Sequence, residues 1–256
     1  MNPTPPNDIK AKAAAYKLTR RFGIRHPKSI CLEDIAMARK VLVLPRPLEG
    51  CEARLTRKGS SGIIRVRAGE DQMGRRRFSI AHELGHWEMH DSSQWYACTA
   101  ANLRDYRVSP EEGEANVFAA ELLMPRFLAE PLLQKPEPTL ALAKQAAAEF
   151  DVSLTAAAIR MLHLSRHEAV LVCSKNKEIL WWVFAKDRFG VWFKSKQHLH
   201  PESIACCLEN GETITGVQEV ETDVWFPNSS VSFGVSEESE RFHRLGMTLT
   251  LLTLCD

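Results

Sequence analysis

Ala81-His82-Glu83-Leu84-Gly85-His86-Trp87-Glu88-Met89-His90 is the stretch whose reading decides the rest of the chain. Within one helix from Arg75 to His90, His82 and His86 stand four residues apart and project from one face. Their Cα atoms are then roughly 6 Å apart along the axis, a span that two imidazoles can close onto one ion. Glu83 follows the first histidine, which turns its carboxylate toward the side where an attacking water would sit. That sets a general base beside a Lewis acid: zinc lowers the pKa of water, and the carboxylate takes the proton as the water attacks a carbonyl. The bland alternative is an amphipathic helix whose histidines lie near its polar edge. His90 continues the series, but one straight helix cannot supply all three ligands, because the outer two are ~12 Å apart along it. A pair formed by His86 and His90 would have no glutamate directly after its first member. His90 is therefore read as a flanking residue.

A third ligand has to come from elsewhere. Ser109-Pro110-Glu111-Glu112 reads as a helix start, with serine at the cap, proline at the first helical position and acids in the first turn. Glu112 and Asn116 lie one turn apart on the same face, so the first can bind a metal while the second orients a histidine ring. Glu111 and Glu114 fall elsewhere on the wheel. Glu112 also stands three residues after Ser109, the spacing of a capping box, and in that reading its carboxylate only reaches back to the cap N–H. The apolar run that follows, Val117 to Pro125, suits packing against the first helix.

The chain surrounding these two helices is ordinary in composition. Its 256 residues can bury a sizeable core and allow two modest domains. A hydrophobic share of 45% with a charged share of 25% is that of a soluble globular protein. Lys plus Arg number 33 against 32 Asp plus Glu, which excludes a strong chain-wide field for nucleic acid or anionic membrane. The N-terminus, Met1 to Pro6, has no apolar signal-like region, and no apolar run approaches the ~20 residues that span a bilayer. Seven cysteines are scattered without a Cys-x-x-Cys pair, which fits reduced thiols in a cytoplasmic protein better than a disulfide framework.

Ahead of the histidines, Asp8 to Phe22 reads as a helix with Ala14, Leu18 and Phe22 on its buried side and Gly23 as its stop. Cys31 to Arg39 is a second, short helix. Strand-like runs follow at Val41–Leu44, Glu52–Thr56 and Ile63–Val66, the last two flanking a hairpin turn at Lys58–Gly62. The edge of this small sheet could hold an extended peptide across the metal, or the sheet could serve only as the floor of the core. Arg75, Arg76 and Arg77 oppose the dipole of the helix they start. They form either a solvated basic cluster or a patch that steers an acidic stretch of substrate.

Taken together, His82-Glu83-Leu84-Gly85-His86 and Glu112-x-x-Ala115-Asn116-x-Phe118-Ala119-Ala120-Glu121-Leu122-Leu123-Met124-Pro125 resemble the ImmA/IrrE family of zinc-dependent endopeptidases. The resemblance runs from about Asp8 to Leu164. It implies a compact zincin-like α+β domain, with His82, His86 and Glu112 as zinc ligands, Glu83 as the base and Asn116 orienting a ligand ring. It also implies the family's usual substrate, a helix-turn-helix repressor cut to release stress-response or mobile-element genes. Members differ in the segment corresponding to 91–110, where Tyr96 and Tyr106 are candidate oxyanion donors.

The expected organisation has three parts. The zincin-like domain covers 8–138, a helix-turn-helix-like segment covers 139–167, and a smaller mixed α/β, β-rich domain covers 168–256, whose apolar runs at 170–172, 179–184, 191–193, 224–226 and 247–254 read as the strands of a small mixed sheet. The second helix of the middle part opens Leu154-Thr155-Ala156-Ala157-Ala158, a packing surface poor in the Arg, Asn and Gln that read bases, so direct nucleic-acid binding is not expected. Four tryptophans fall in the last part (Trp181, Trp182, Trp192, Trp225), where they serve core packing or a ligand pocket, and some relatives carry a sensor-like domain of the GAF type at this end. Two other function classes stay open: a zinc-bound regulator that binds a repressor without cutting it, and a helix-turn-helix DNA binder with a vestigial metal site.

Overall fold

The computed structural model describes residues 6–68, 73–90, 97–98, 109–134, 137–185, 193–194, 196–227, 229 and 234–255. The chain forms two compact units, Met1–Ala129 with Ala148–Ser153 and Glu130–Ala147 with Leu154–Asp256. The first holds α1 (Asp8–Arg21), α2 (Leu32–Ala38), β1 (Val41–Arg46), β2 (Ala53–Lys58), β3 (Ser61–Arg67), α3 (Met73–Met89), β4 (Ala97–Cys98) and α4 (Pro110–Leu123). The chain changes unit within α5 (Arg126–Leu133) and again within α6 (Leu140–Phe150). The second unit continues with α7 (Leu154–Leu164), β5 (Ala169–Lys175), β6 (Glu178–Phe184), α8 (Ile204–Glu209), β7 (Gln218–Val220), α9 (Thr222–Trp225), β8 (Gly234–Phe242) and β9 (Met247–Cys255). With helices and two separate sheets, this is an α+β protein.

In the first unit the strand order is β1-β3-β2-β4, with β1 parallel to β3 and the other pairs antiparallel. The β2–β3 hairpin turns at Gly59-Ser60, where Gly59 has φ +57°, a left-handed conformation that costs glycine nothing. Period-two alternation buries Ala53 and Leu55 on β2 and Ile64 and Val66 on β3. These side chains share a core with Ala11, Ala15 and Leu18 of α1, Ile80 and Leu84 of α3, and Phe118 and Leu122 of α4. On α1 the buried line is thus Ala11, Ala15 and Leu18, with Ala14 and Phe22 only partly covered.

Polar contacts pin both ends of α3 to this sheet and to α2. At its start, Arg76 pairs with Glu33 at 2.9 Å, Arg77 donates to the Ile30 carbonyl at 3.2 Å, and Arg75 lies 3.9 Å from Glu52. The basic cluster is spent on its own chain. At the other end Arg57 of β2 donates to the His86 carbonyl and, at 3.0 Å, to the His90 carbonyl, while its guanidinium lies 4.3 Å over the Trp87 ring. Arg39 grips Glu88 through two hydrogen bonds of 2.7 and 3.2 Å. A cation at the last carbonyls also complements the helix dipole.

The second unit departs from expectation in two ways. Its five-stranded sheet, ordered β6-β5-β9-β8-β7, is antiparallel at every pairing among the described residues, where a mixed sheet is expected from the sequence. Val224-Trp225-Phe226 closes the helical turn α9 instead of forming a strand; all three side chains are buried, and a short apolar run reads alike in a buried turn and a strand. Helix α7 packs against β5, burying Ala157, Ala158, Met161 and Leu162, and so joins the C-terminal sheet. Trp225 is core: its indole donates at 2.7 Å to Glu237, a wholly buried carboxylate that also caps α8 by accepting from the Ala205 N–H. Trp192 lies outside the described residues.

Gly85 is where α3 and α4 approach most tellingly, because a Cβ built there would lie 3.2 Å from the Ala115 Cα and 3.0 Å from the Phe118 ring. Backbone cannot yield as a flexible side chain does. Gly85→Val should therefore destabilise the first unit by about 1–3 kcal/mol, the usual cost of overpacking, and urea unfolding of the metal-free protein measures it.

Candidate metal centre

Two crossing helices build the site. On α3 the i, i+4 spacing stacks His82 and His86, with ring centroids 4.8 Å apart. On α4 the cap decides what Glu112 can do. Ser109 accepts from the Glu112 N–H at 3.3 Å, so the cap is made by the serine side chain and the Glu112 backbone. The Glu112 carboxylate faces the histidines instead, with one oxygen 3.3 Å from His82 Nε2 and the other 3.4 Å from His86 Nε2. The two Nε2 atoms are 3.0 Å apart.

Those separations can be tested against a metal. Zinc bonds of ~2.0–2.1 Å in tetrahedral geometry require ligand atoms about 3.3–3.4 Å from one another. Here the two Nε2 atoms are 3.0 Å apart, each lies 3.3 or 3.4 Å from a different oxygen of Glu112, and one ligand atom from each residue lies within 4.8 Å of the others, so the group closes on an ion with a small adjustment. Two imidazoles and a carboxylate are also a familiar donor set for that ion. Among the described residues, His82, His86 and Glu112 are the group of metal-type ligands that converge in this way, and all three are buried.

Each ring has a partner on its far nitrogen. His82 Nδ1 lies 2.8 Å from the side-chain amide oxygen Oδ1 of Asn116, one turn beyond Glu112. His86 Nδ1 lies 2.9 Å from His90 Nδ1, a contact the sequence reading missed although the i+4 spacing was visible in it. Glu83 is completely buried beside His82, and the Leu55 N–H of β2 donates to its carboxylate at 3.1 Å. No motif in the sequence pointed to that amide, because it belongs to a strand 28 residues away. Tyr96 and Tyr106 lie outside the described residues. Glu111 is not gathered into the site, while Glu114 reaches His90.

The electrostatics favour cation binding. Burial holds His86 neutral down to a pKa of about 4, outweighing the pull of Glu112 toward the charged form. Burial works against the charge of Glu112 as well, but hydrogen bonds from His82 and His86 win and bring its pKa down to about 2. A neutral imidazole beside an ionised carboxylate is the protonation state that accepts a divalent ion. The second unit has a cleft of about 380 Å³ lined by Lys144, Glu240, Arg241 and His243 among others, and none of His82, Glu83, His86 and Glu112 lines it.

Two buried histidines with a glutamate after the first, faced by a carboxylate from a second helix, are the parts of a metallopeptidase-type centre. The comparison with known families agrees: residues 36–162 match the model described as the IrrE N-terminal-like domain, a peptidase family, which supports the ImmA/IrrE family. No curated protein matches the chain. Among solved structures, it is similar to a Mycobacterium tuberculosis transcriptional regulator at 16% identity and a TM-score of 0.61, over 96% of this chain and 75% of that one. At that identity the likeness is one of fold. No helix among the described residues is long and apolar enough to cross a membrane.

The shifted groups predict a pH dependence. Unfolded, His86 takes up its proton near its ordinary pKa of 6.5; folded, it resists to about 4. The unfolded chain therefore binds more protons in that window, and stability must fall as the pH drops from 6.5 toward 4. Glu112 extends the fall, since its stabilisation is complete above its ordinary 4.5 and is lost toward 2. Urea unfolding of the metal-free protein across pH 8 to 4 should show this loss, with a shallower slope in His86→Asn.

Proposed function

We propose that the protein is a zinc-dependent endopeptidase of zincin-like architecture whose substrate is a protein, a helix-turn-helix transcriptional repressor cut to derepress stress-response or mobile-element genes. One observation carries the enzymatic half: Glu83 sits beside three converging ligand atoms, buried with them and held by the Leu55 amide. The substrate class follows the family resemblance. Free thiols at Cys51 and Cys206 suit a reducing, cytoplasmic setting.

His82, His86 and Glu112 would hold the ion, and Asn116 would fix the His82 ring. Zinc in that position supplies a Lewis acid that polarises the scissile carbonyl and makes a water easier to deprotonate. The Glu83 carboxylate accepts the proton of the attacking water and then gives it to the leaving nitrogen. The Leu55 N–H, fixed in β2, keeps that carboxylate oriented between the two transfers. Strand β2 also offers a way to present substrate: β4 pairs only with Ala53 and Arg54, so the edge from Leu55 onward has no paired strand among the described residues. An extended peptide added there would lie alongside Glu83.

A DNA-binding alternative gains little from α7. Arg160, its one arginine, is buried, and the helix leaves mainly Thr155, Ala156, Ile159 and His163 to solvent. Base recognition asks for longer hydrogen-bonding side chains.

Glu83→Gln tests the mechanism, because it keeps size and ligands while removing the base. Elemental analysis should find one zinc per chain in wild type and in Glu83→Gln, and loss of zinc in His82→Ala, His86→Ala and Glu112→Ala. Cleavage of a candidate repressor, followed by mass spectrometry, should fall at or above the top of the ~10²–10⁴-fold range of general-base contributions, with the uncut repressor retained in pull-down. Equal cleavage by both proteins would sink this mechanism. Gene release without cleavage by either would favour a regulator that only binds.

A further inference from the structure

His90 is a buried residue that the mechanism does not use, and its surroundings form a chain of contacts running away from the metal ligands. His86 Nδ1 lies 2.9 Å from His90 Nδ1, and His90 Nε2 lies 3.1 Å from a Glu114 oxygen. Glu114 in turn accepts from the Lys10 ammonium at 2.9 Å and from the Asn7 N–H at 3.2 Å. Helix α1 thereby supplies the far end of the chain, through its cap residue and its first turn.

Counting hydrogens leaves one arrangement. If His86 binds a metal through Nε2, its only N–H is at Nδ1, and that N–H must find an acceptor. His90 Nδ1 is in place to accept only when the His90 hydrogen sits on Nε2. Glu114, already receiving donors from Lys10 and Asn7, is an acceptor at that Nε2 and so selects this tautomer. The His82 ring is served in the same way by a simpler device, the side-chain Oδ1 of Asn116 at 2.8 Å, an oxygen that can only accept. Both ligand histidines therefore face an acceptor behind the ring, one amide and one imidazole fixed by a carboxylate. Such partners hold ring orientation and raise ligand basicity.

Resting on the reading that His82, His86 and Glu112 hold a metal, we infer that His90, set in its Nε2–H tautomer by Glu114, is the positioning residue for His86, and that Lys10 and Asn7 of the N-terminal helix anchor this relay. The metal site then depends on a segment more than seventy residues upstream of His86, although that segment supplies no ligand.

The competing explanation is that these contacts merely pin α3 to α4 and α1. Two substitutions separate the two. His90→Asn puts an amide oxygen where Nδ1 was, as Asn116 does for His82, but gives up the bond to Glu114; His90→Leu removes the acceptor as well. Zinc affinity of the full chain is measured by competition with a chromophoric chelator, alongside the visible spectrum of the cobalt-substituted protein and thermal melting of the metal-free form. His90→Leu should bind zinc about 10–100-fold more weakly, with an altered cobalt spectrum, while His90→Asn restores most of the affinity. The two metal-free variants should melt alike. Equal affinity in His90→Leu and wild type, or equal weakening in both variants, would overturn the inference. If His90→Leu does not fold, Glu114→Ala decides: a several-fold loss of zinc affinity supports the relay, and wild-type affinity refutes it. Failure of the wild-type chain to bind zinc at all would instead overturn the metal reading itself, and the relay with it.

Discussion

The structure depends on how closely α3 and α4 cross. Two imidazole nitrogens from one helix and a carboxylate from the other have to meet within hydrogen-bonding distance while sealed from water, and side chains of fixed length allow that only if the backbones nearly touch. Gly85 and Ala115 provide the contact, with Phe118 packed over it. Everything else in the first unit serves that crossing. The sheet and α2 grip α3 at both ends through Arg57, Arg39 and Glu33, and α1 lies against α4.

Burying so many polar groups is costly unless each is satisfied, and a removed partner leaves a penalty larger than the bond was worth. The site answers with two layers of partners: Asn116 behind His82, His90 behind His86, the Leu55 amide on Glu83, and Glu114 with Lys10 beyond His90. This network ties both histidine rings and the Glu83 carboxylate to fixed partners. It also explains why Glu112 and His86 are held in the charge states a cation needs, since burial opposes charge on both and only Glu112 has donors to overcome it.

The second unit shows the same economy with a different purpose. Glu237, wholly buried, accepts from the Trp225 indole, the Ala205 amide and the Ser239 hydroxyl, so one carboxylate ties α8, α9 and β8 into the antiparallel sheet. Burial pushes the Glu237 carboxyl up while these hydrogen bonds pull it down, and burial prevails. Its role is internal cohesion, which separates it from the carboxylates of the first unit that face histidines.

Much of the site was legible in the sequence because its information is local. The i, i+4 spacing of His82 and His86, the Ser109-Pro110 helix start ahead of Glu112 and the turn between Glu112 and Asn116 are all statements about a helix, whose geometry is fixed by short-range bonding. Hairpin and strand alternation in 53–67 were legible for the same reason. Tertiary structure alone decided whether Glu112 would cap its helix or face the histidines, which of the acidic neighbours would reach His90, and that a strand amide would hold Glu83. It also decided that α7 would join the C-terminal sheet and that Val224-Trp225-Phe226 would coil into a turn. These outcomes depend on which surfaces the fold brings together, 24 residues apart for His90 and Glu114 and 28 for Leu55 and Glu83, and no local pattern carries that distance.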